Sequence, residues 1–315
     1  MEKRVVVAVG GNALMTDSKH PEIEQQWQAV ARTAEQVAAL VAAGWQVVVT
    51  HGNGPQAGFM LRRNELAAAE VYCEPLDVIN ADTQGAIGYM LQQALGNALR
   101  ARGMARSVAT VVTQVVVDRD DPGFASANKP VGGYVDATEA ERLRQAGWVV
   151  TDDAGRGFRR RVASPLPMAV VELAAIEALL VAGTVVIAGG GGGIPVVWED
   201  GSLRGVNAVI DKDRTSALLA DALAAEVLLI ATSVDRVAVN FGQPDERWLD
   251  AMTVAEAEGY LAAGEFAAGS MGPKVEAAVA FVDGRGGRRA VICGLEGLLD
   301  AVAGQAGTAI YATMG

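Results

Sequence analysis

Short runs of β-branched residues alternate along the chain with long alanine-rich segments, and this alternation constrains the fold most strongly. The run from Val5 to Val9 ends in Gly-Gly-Asn, and the run from Trp45 to Thr50 ends in His-Gly-Asn-Gly-Pro. A third run, Thr184 to Ala188, opens into consecutive glycines. Strands that alternate with helices are typical of a mostly parallel sheet. We therefore predict an α/β fold, with an open, mostly parallel sheet sandwiched by helices.

The pattern also predicts the organisation of the chain into two lobes that meet near residues 205 to 212. The segment from 118 to 167 is polar, charged and rich in glycine and proline, so it is either a flexible insertion or a small protruding lid. Other elements follow from local patterning. They are one strand at Val108 to Val117, a helix near Met168 to Ala182, a hairpin at Val196 to Val206, a helix at Arg214 to Leu223, and a last strand at Ala290 to Cys293.

Composition excludes several classes of function. The net charge is −11 and the arginines are scattered, so a nucleic-acid partner is not expected. No stretch reaches the roughly twenty apolar residues of a membrane helix, and the first apolar run is too short for a signal peptide. Cys73 and Cys293 lie far apart, which favours a reduced protein over a disulfide framework. We expect a cytoplasmic protein without a membrane partner.

The glycine-rich loops that follow the strands suggest an anion site. In a parallel sheet the carboxyl ends of the strands face one crevice, and glycines let backbone N–H groups approach an anion closely. A single Gly-Gly pair is usually only a tight turn, but several such loops on one sheet favour a binding site. The loops match neither the dinucleotide-binding motif G-x-G-x-x-G nor the P-loop motif.

Lysine is rare in this chain. Five lysines stand against twenty-one arginines, and three of the five are Lys129 in N-K-P, Lys212 in D-K-D and Lys274 in G-P-K-V-E. They are either chance survivors or positions where a compact ammonium is needed to bind phosphate. Lys212 and Lys274 fall at predicted helix N-termini, where the helix dipole disfavours a cation unless an anion compensates. Asp211 or Asp213 is able to cap the first of these helices.

A series of motifs, in order along nearly the whole chain, resembles carbamate kinase, of the amino acid kinase superfamily. The motifs are V-A-V-G-G-N-A from Val7, T-H-G-N-G-P-Q from Thr50, T-Q-G-A-I-G-Y from Thr83, T-Q-V-V-V-D from Thr113, N-K-P-V-G from Asn128, D-D-A-G-R-G-F-R from Asp152, G-G-G-G-I-P-V-V from Gly190, V-I-D-K-D from Val209 and S-M-G-P-K-V-E-A-A from Ser270.

The resemblance implies a reversible kinase that converts ATP and carbamate into ADP and carbamoyl phosphate. It implies Mg²⁺ with the nucleotide, a homodimer, and operation toward ATP in arginine catabolism. It also implies a substrate lobe at residues 1–210, including the lid at 118–167, and a nucleotide-binding lobe at 211–315.

The same resemblance implies roles for individual residues. The catalytic residues are Lys129, Lys212, Asp213 and Lys274, with Asp213 orienting the phosphate-bridging lysines. The substrate cradle is Gly10, Gly11, Asn12, Gly52, Asn53, Gly54, Gly190, Gly191 and Gly192. The nucleotide site is Lys212, Ser233, Val234, Asp235, Asn240, Phe241, Gly242, Pro244, Met271, Gly272 and Lys274. No side chain is assigned to the metal, so Mg²⁺ is expected to bind through the nucleotide phosphates.

One departure from the superfamily pattern narrows the prediction. Most relatives carry a lysine in K-x-G-G after the first strand, whereas Ala8 stands there in this chain. The resemblance implies that Lys129 in the lid supplies the missing cation, which argues for carbamate kinase over kinases of other small carboxylates. Those kinases, and a non-catalytic binding module of the same fold, remain the alternatives.

Several polar residues have two interpretations. Asp152, Asp153 and Arg156 contact substrate or pair on the surface, and the weakness of exposed ion pairs favours the surface. Arg159 to Arg161 are expected to be solvated. His51 donates to phosphate or stabilises its loop.

Overall fold

The fold is taken from a computed structural model that describes residues 3–11, 14, 22–153, 155, 157–267, 269–284 and 286–312. Asn12 and Arg156, which the sequence analysis singled out, lie outside the described residues.

The strands of the described residues are, in order, β1 (Arg4–Val9), β2 (Gln46–His51), β3 (Val108–Thr110), β4 (Gln114–Val117), β5 (Lys129–Val135), β6 (Val149–Asp152), β7 (Phe158–Val162), β8 (Pro167–Val170), β9 (Val185–Ile187), β10 (Ile194–Glu199), β11 (Ser202–Gly205), β12 (Val227–Thr232), β13 (Val237–Val239), β14 (Arg247–Leu249), β15 (Ala251–Thr253), β16 (Arg289–Gly294) and β17 (Thr308–Tyr311).

The helices are α1 (Ile23–Ala42), α2 (Gly54–Ala67), α3 (Leu76–Ala101), α4 (Ala137–Gln145), α5 (Leu173–Val181), α6 (Lys212–Ala222), α7 (Val254–Ala262), α8 (Met271–Val282) and α9 (Leu298–Val302). Within the described ranges, none of them is both long enough and apolar enough to cross a membrane.

One large sheet organises the molecule, and its strand order is β15-β17-β16-β12-β1-β2-β9-β3. All its neighbouring strands are parallel except β16 and β17. Helices cover both faces, so the strands are apolar on both sides, as parallel strands must be when neither face meets water. The predicted α/β fold class is confirmed.

Alternate residues of the central strand β1 pack into two different cores. Val6 and Ala8 face the cluster built with α5, α6 and α8, whereas Val5, Val7 and Val9 face the cluster built with α1, α3 and α9. β1 pairs with β2 on one side and with β12 on the other. A single sheet therefore runs through the parts of the chain that precede and follow residue 210.

A four-stranded sheet, β11-β10-β4-β8, carries the insertion at residues 118–166, which we call the lid from here on. Pro167, the last residue of the lid predicted from the sequence, is the first residue of β8. β4 leads into the lid, β8 follows it, and the two strands pair antiparallel. Within the lid, β5, β7 and β6 form an antiparallel sheet against α4, around a small core of Ala140, Leu143 and Val150.

The lid packs on the rest of the molecule through a second apolar cluster. Val131 and Val162 of the lid meet Ala57 and Leu61 of α2 and Ile79 of α3. The backbones of α2 and β5 also approach closely, since a Cβ added at Gly58 would lie 2.3 Å from the Cα of Gly132. The position of the lid is therefore set by packing against α2 and α3.

Three element predictions were wrong. The single strand at 108–117 is two strands in different sheets, because the Thr113 N–H donates to the side chain of Gln84, at 2.7 Å, rather than to a neighbouring strand. The helix near 168–182 begins only at Leu173, because residues 167–170 pair with β4 as β8. The strand at 290–293 is not the last, since β17 follows it and pairs with it.

Candidate active site

The carboxyl ends of the central strands meet at one place, as their register requires. Val9 at the end of β1 lies opposite His51 of β2 and Ala231 of β12. The Gly52 N–H then donates to the Val9 carbonyl oxygen at 3.0 Å, which holds the two glycine-containing loops together. The loops after β1, β2 and β12 therefore border a common crevice, where ligands bind in open α/β sheets.

A cavity of about 660 Å³ occupies this crevice. It brings together most of the residues predicted for catalysis and for the substrate cradle, and one of those predicted for the nucleotide alone. The predicted residues that line it are Gly10, Gly11, Gly52, Asn53, Gly54, Lys129, Gly191, Lys212, Asp213, Ser233 and Lys274.

Asp213 lies between the two lysines that begin helices. Its Oδ1 accepts a hydrogen bond from the Lys212 Nζ at 2.5 Å, and its Oδ2 accepts one from the Lys274 Nζ at 2.8 Å. Lys212 is the first residue of α6, and Lys274 lies in the first turn of α8, so both ammonium groups stand at helix N-termini. The helix dipoles add further positive potential there, which favours an anion.

Burial disfavours the charged forms of the side chains in this cluster. It lowers the pKa of Lys212 from its ordinary value, an effect that the attraction of Asp213 only partly offsets. For Asp213, burial acts to raise the pKa, but the charges of Lys212 and Lys274 hold it well below its usual range. Two cations share one anion, so the cluster carries net positive charge that an entering phosphate would balance.

Lys129 reaches the same cavity from the lid. It is the first residue of β5, and its Nζ donates to the Oδ2 of Asp211, the residue that precedes α6. The other oxygen of Asp211 caps α6 by accepting from the Asp213 N–H at 2.8 Å. The three lysines that stood out in the sequence thus converge on one cavity.

The third glycine loop, Gly190 to Gly192, forms a buried single-turn 3-10 helix after β9. Gly191 has a φ of 67°, and a Cβ there would lie 2.3 Å from the side-chain nitrogen of Asn53, so glycine is required. Gly190 and Gly192 are also buried, but among the described residues they are not part of the cavity lining.

Sequence reasoning missed the side chains of α3 that support this loop. Gln84 is buried, and its amide nitrogen donates to the carbonyl oxygens of Gly190, at 2.9 Å, and Thr113, at 3.1 Å. Asn53 donates to Asn80 at 2.7 Å and to Thr83 at 2.9 Å. In the sequence, Thr83 and Gln84 stand out only as part of the T-Q-G motif that carries the family resemblance, although polar residues on a helix face that is buried must find hydrogen-bond partners.

His51 supports its own loop. The side chain is buried, and its Nδ1 lies 3.1 Å from the Gly52 carbonyl oxygen, which fixes a proton on Nδ1 because a carbonyl only accepts. Burial, aided by the charge of Lys212, lowers the pKa of His51 to about 4 against the opposing effect of the Gly52 hydrogen bond. His51 is therefore neutral at neutral pH, and the geometry favours the structural of its two interpretations.

The arginines of β7 are less solvated than predicted. Arg160 is only 9% exposed: it pairs with Glu65 of α2 and lies over the ring of Trp148 at 5.0 Å. Arg159 borders the cavity and donates to the Gly132 carbonyl oxygen at 2.9 Å. The prediction of a solvated run was wrong, because a strand packed on α2 turns alternate side chains toward it.

The residues predicted to bind the nucleotide lie in three separate places: two loops and the start of a helix. Val234 and Asp235 follow β12, Asn240 to Pro244 lie between β13 and β14, and Met271 and Gly272 begin α8. Phe241 is 69% exposed and meets Trp248 edge to face, with ring centroids 6.2 Å apart. Within the described ranges, none of these residues is part of the cavity lining. Their roles in nucleotide binding stay predictions.

No cluster of three or more His, Cys, Asp or Glu side chains suited to a metal ion occurs in the described part of the chain. The two carboxylates nearest the cavity, Asp211 and Asp213, already bind lysines.

Comparison with known proteins shows to which family this chain belongs. The family model described as "Amino acid kinase family" matches residues 3–294. The chain belongs to the amino acid kinase family. This membership confirms the resemblance seen in the sequence, and the fold described above is the amino acid kinase fold.

Individual members of the amino acid kinase family are similar over their whole length. The carbamate kinase of Thermococcus kodakarensis is 48% identical, with 98% of this chain and 99% of that protein covered. A carbamate kinase-like protein of Escherichia coli is 47% identical over the same shares.

Among solved structures, the carbamate kinase from Giardia lamblia bound to citric acid matches with a TM-score of 0.93 and 39% identity, covering 99% of each chain. The same enzyme bound to AMP-PNP matches with a TM-score of 0.91, 39% identity and the same coverage.

Proposed function

We propose that this protein is a carbamate kinase, a phosphotransferase that reversibly converts ATP and carbamate into ADP and carbamoyl phosphate. One observation carries the proposal: Lys129 of the lid, Lys212 of α6 and Lys274 of α8 converge on one cavity. Relatives named carbamate kinase, at 45% to 48% identity over nearly the full chain, support the choice of acceptor.

The geometry suits direct phosphoryl transfer. A carbamate oxygen attacks the γ-phosphorus as the bond from that phosphorus to the bridging oxygen of ADP breaks. The transition state is loose, so catalysis depends mainly on positioning and on stabilising charge. In this mechanism Lys212 and Lys274 neutralise the phosphate oxygens, and Asp213 holds both in place. Carbamate is already an anion and needs no general base, so a neutral His51 is no handicap.

Lys129 takes the role that a lysine near the first strand has in other superfamily members. Ala8, at that place, is buried in β1 and faces the core. Lys129 lines the cavity together with Arg159 and Tyr134, which also belong to the lid. In our proposal it binds the carbamate side of the transferred group, together with the loops at Gly10, Gly11 and Gly52 to Gly54.

We assign residues 1–210, with the lid, to the substrate and residues 211–315 to the nucleotide. The position of Ser233 at the cavity edge after β12 supports this division. Mg²⁺ is proposed as the ion that accompanies ATP and ADP, held by their phosphate oxygens, where it would supply further positive charge. A homodimer, a cytoplasmic location and net ATP formation in arginine catabolism complete the proposal.

The test is a coupled assay of ATP formation from carbamoyl phosphate and ADP with Mg²⁺. We expect ATP that depends on both substrates, with the reaction lacking ADP as the control. Because one close relative is named only carbamate kinase-like, a panel of small carboxylates with labelled ATP should accompany the assay. Folded protein that phosphorylates another carboxylate but fails with carbamoyl phosphate would overturn the proposal.

A further inference from the structure

Asp211 makes two kinds of contact, and only one of them is needed to cap a helix. It is 8% exposed. Its Oδ1 accepts from the backbone N–H groups of Asp213, at 2.8 Å, and Arg214, at 3.4 Å, and so caps α6. Its Oδ2 accepts from the Nζ of Lys129, which lies 82 residues earlier in the chain.

Capping alone explains only the first of these contacts. Serine, threonine and asparagine cap helices about as well as aspartate, and none of them brings a negative charge. Asp136 provides a comparison inside the molecule, since it caps α4 through the Glu139 N–H at 2.8 Å and is exposed. The buried charge at Asp211 therefore calls for a second explanation, which the ion pair with Lys129 supplies.

Lys129 needs a partner if it is to act in a defined position. A lysine side chain carries about 2 kcal/mol of rotamer entropy, so an unheld ammonium at the edge of a cavity samples many positions. An ammonium has three donors, and Asp211 occupies one of them, so two remain for a substrate. The aspartate is able to fix the direction of Lys129 without removing its capacity to bind an anion.

We propose that Asp211 is a positioning residue for the lid lysine: one carboxylate oxygen docks Lys129 over the cavity while the other caps the helix that begins with Lys212. Asp211 and Asp213, two residues apart at the start of α6, then hold all three lysines of the site between them. The spacing of the lid lysine from the other two is thereby set by the first turn of one helix.

Continuity with the neighbouring backbone supports this geometry. Just before α6, the Val209 N–H donates a hydrogen bond of 3.0 Å to the carbonyl oxygen of Ala163. Ala163 lies near the C-terminal end of the lid. Ala163 follows β7, and Lys129 lies opposite Val162 at the end of that strand. The segment that leads into α6 therefore contacts the lid by a backbone bond and by an ion pair, side by side.

The test compares Asp211→Asn with Asp136→Asn. Asparagine keeps an oxygen for the cap but turns an amide toward Lys129, so only the ion pair is lost. We expect D211N to lower kcat/KM for carbamoyl phosphate by about tenfold to a hundredfold, the scale of a misplaced catalytic group, with KM for ADP nearly unchanged. D136N should behave as the wild type.

A double-mutant cycle with Lys129→Ala separates positioning from general damage. If Asp211 acts through Lys129, the loss in the double variant will be clearly smaller than the product of the two single losses. Wild-type kinetics or higher activity in D211N, or losses that multiply independently, would overturn the proposal.

The activity readout rests on the proposed function, so a second readout avoids it. Amide hydrogen exchange of residues 129–135 in the ligand-free protein should be faster in D211N than in D136N or the wild type. Lys129→Gln, which leaves the cap intact, should produce the same increase even if D211N folds poorly. Unchanged exchange in Lys129→Gln would refute the positioning role, whereas an inactive wild type would refute only the proposed function.

Discussion

At the scale of single residues, Asp213 is the centre of the site. Its two oxygens bind two lysines from different helices, and it is only 5% exposed. A buried carboxylate between two cations is stable only while both partners are present, since loss of one changes the charge balance of the whole cluster.

We predict that Lys212→Ala or Lys274→Ala lowers kcat by about a hundredfold or more, the scale of removing one charge-stabilising group from a preorganised site. Steady-state kinetics in the direction of ATP formation measure the effect. Arg214→Ala is the matched control, because Arg214 lies on the same helix but pairs with Glu276 on the surface. Near-normal kcat in either lysine variant would show that its charge is not used in transfer.

His51 should make stability depend on pH. Its pKa is lowered to about 4 in the folded protein, from 6.5, so the unfolded chain binds more protons between these values. The free energy of unfolding must then fall as the pH drops from about 6.5 toward about 4, by roughly 3 kcal/mol in total. The depressed pKa values of Asp211 and Asp213 add their own losses only at lower pH.

Urea unfolding of the wild type and of His51→Asn at about pH 7 and about pH 5 measures this contribution. Asparagine keeps an N–H near the Nδ1 position but does not titrate. The wild type should lose more stability than the variant over this interval. Equal losses in the two proteins would mean that His51 does not titrate in the native state with a lowered pKa.

The sequence indicated which lysines to expect in the site, but not which residues they contact. Lys212 and Lys274 were found because a cation at a helix N-terminus is unusual, and that signal is local. The contact between Lys129 and Asp211 joins residues 82 positions apart, and the bonds of Gln84 to Thr113 and Gly190 cross between elements. Such contacts depend on the fold, so local patterns do not reveal them.

At the scale of elements, the lid contacts α2 through backbone packing and through ion pairs. Gly58 and Gly132 meet backbone to backbone, and Glu65 of α2 accepts hydrogen bonds from Arg160 and Arg142 of the lid. The sequence predicted a polar insertion here, but not that two of its arginines would pair with a helix outside it. From sequence alone, a run of arginines is predicted to be solvated, because the acidic residues that pair with it in the fold are not known.

Gly58→Ala should displace the lid. The added Cβ would lie 2.3 Å from the Gly132 Cα, and a backbone atom has little freedom to yield. We expect a fall of about tenfold or more in kcat/KM for carbamoyl phosphate, because Lys129 moves with β5.

Gly259→Ala on α7 is the control, since a Cβ there meets nothing within 4 Å. That change should leave activity intact and raise stability by up to about 1 kcal/mol, as alanine does in a helix. Equal activity in the Gly58 and Gly259 variants would show that the lid tolerates displacement.

At the scale of the whole molecule, the shared sheet links the two proposed lobes. β1 lies between β2 and β12, so a chain cut after residue 210 would lose the neighbour on one side of its central strand. The division into two lobes stays a prediction of the sequence pattern, and the continuity of the sheet could not be predicted, because strand order is not encoded in hydrophobic periodicity.

The intact chain should therefore unfold in one cooperative transition despite its length. Tryptophan fluorescence and far-UV circular dichroism, recorded along one urea titration, should give coincident curves. A fragment of residues 1–210 should fail to fold, because an apolar central strand would be left as an edge. Two separated transitions would show that the lobes are independent units.

The antiparallel pair of β4 and β8 has a consequence for how such a protein changes over time. The lid leaves the fold at Val117 and returns at Pro167, and these residues lie opposite each other. A segment whose ends are neighbours is exchangeable without altering the register of the large sheet. In our proposal the cations on the nucleotide side, Lys212 and Lys274, lie on helices α6 and α8 outside the lid, whereas the acceptor-side cation, Lys129, lies within the lid. New acceptor preferences would then evolve by replacing the lid, with the transfer machinery unchanged.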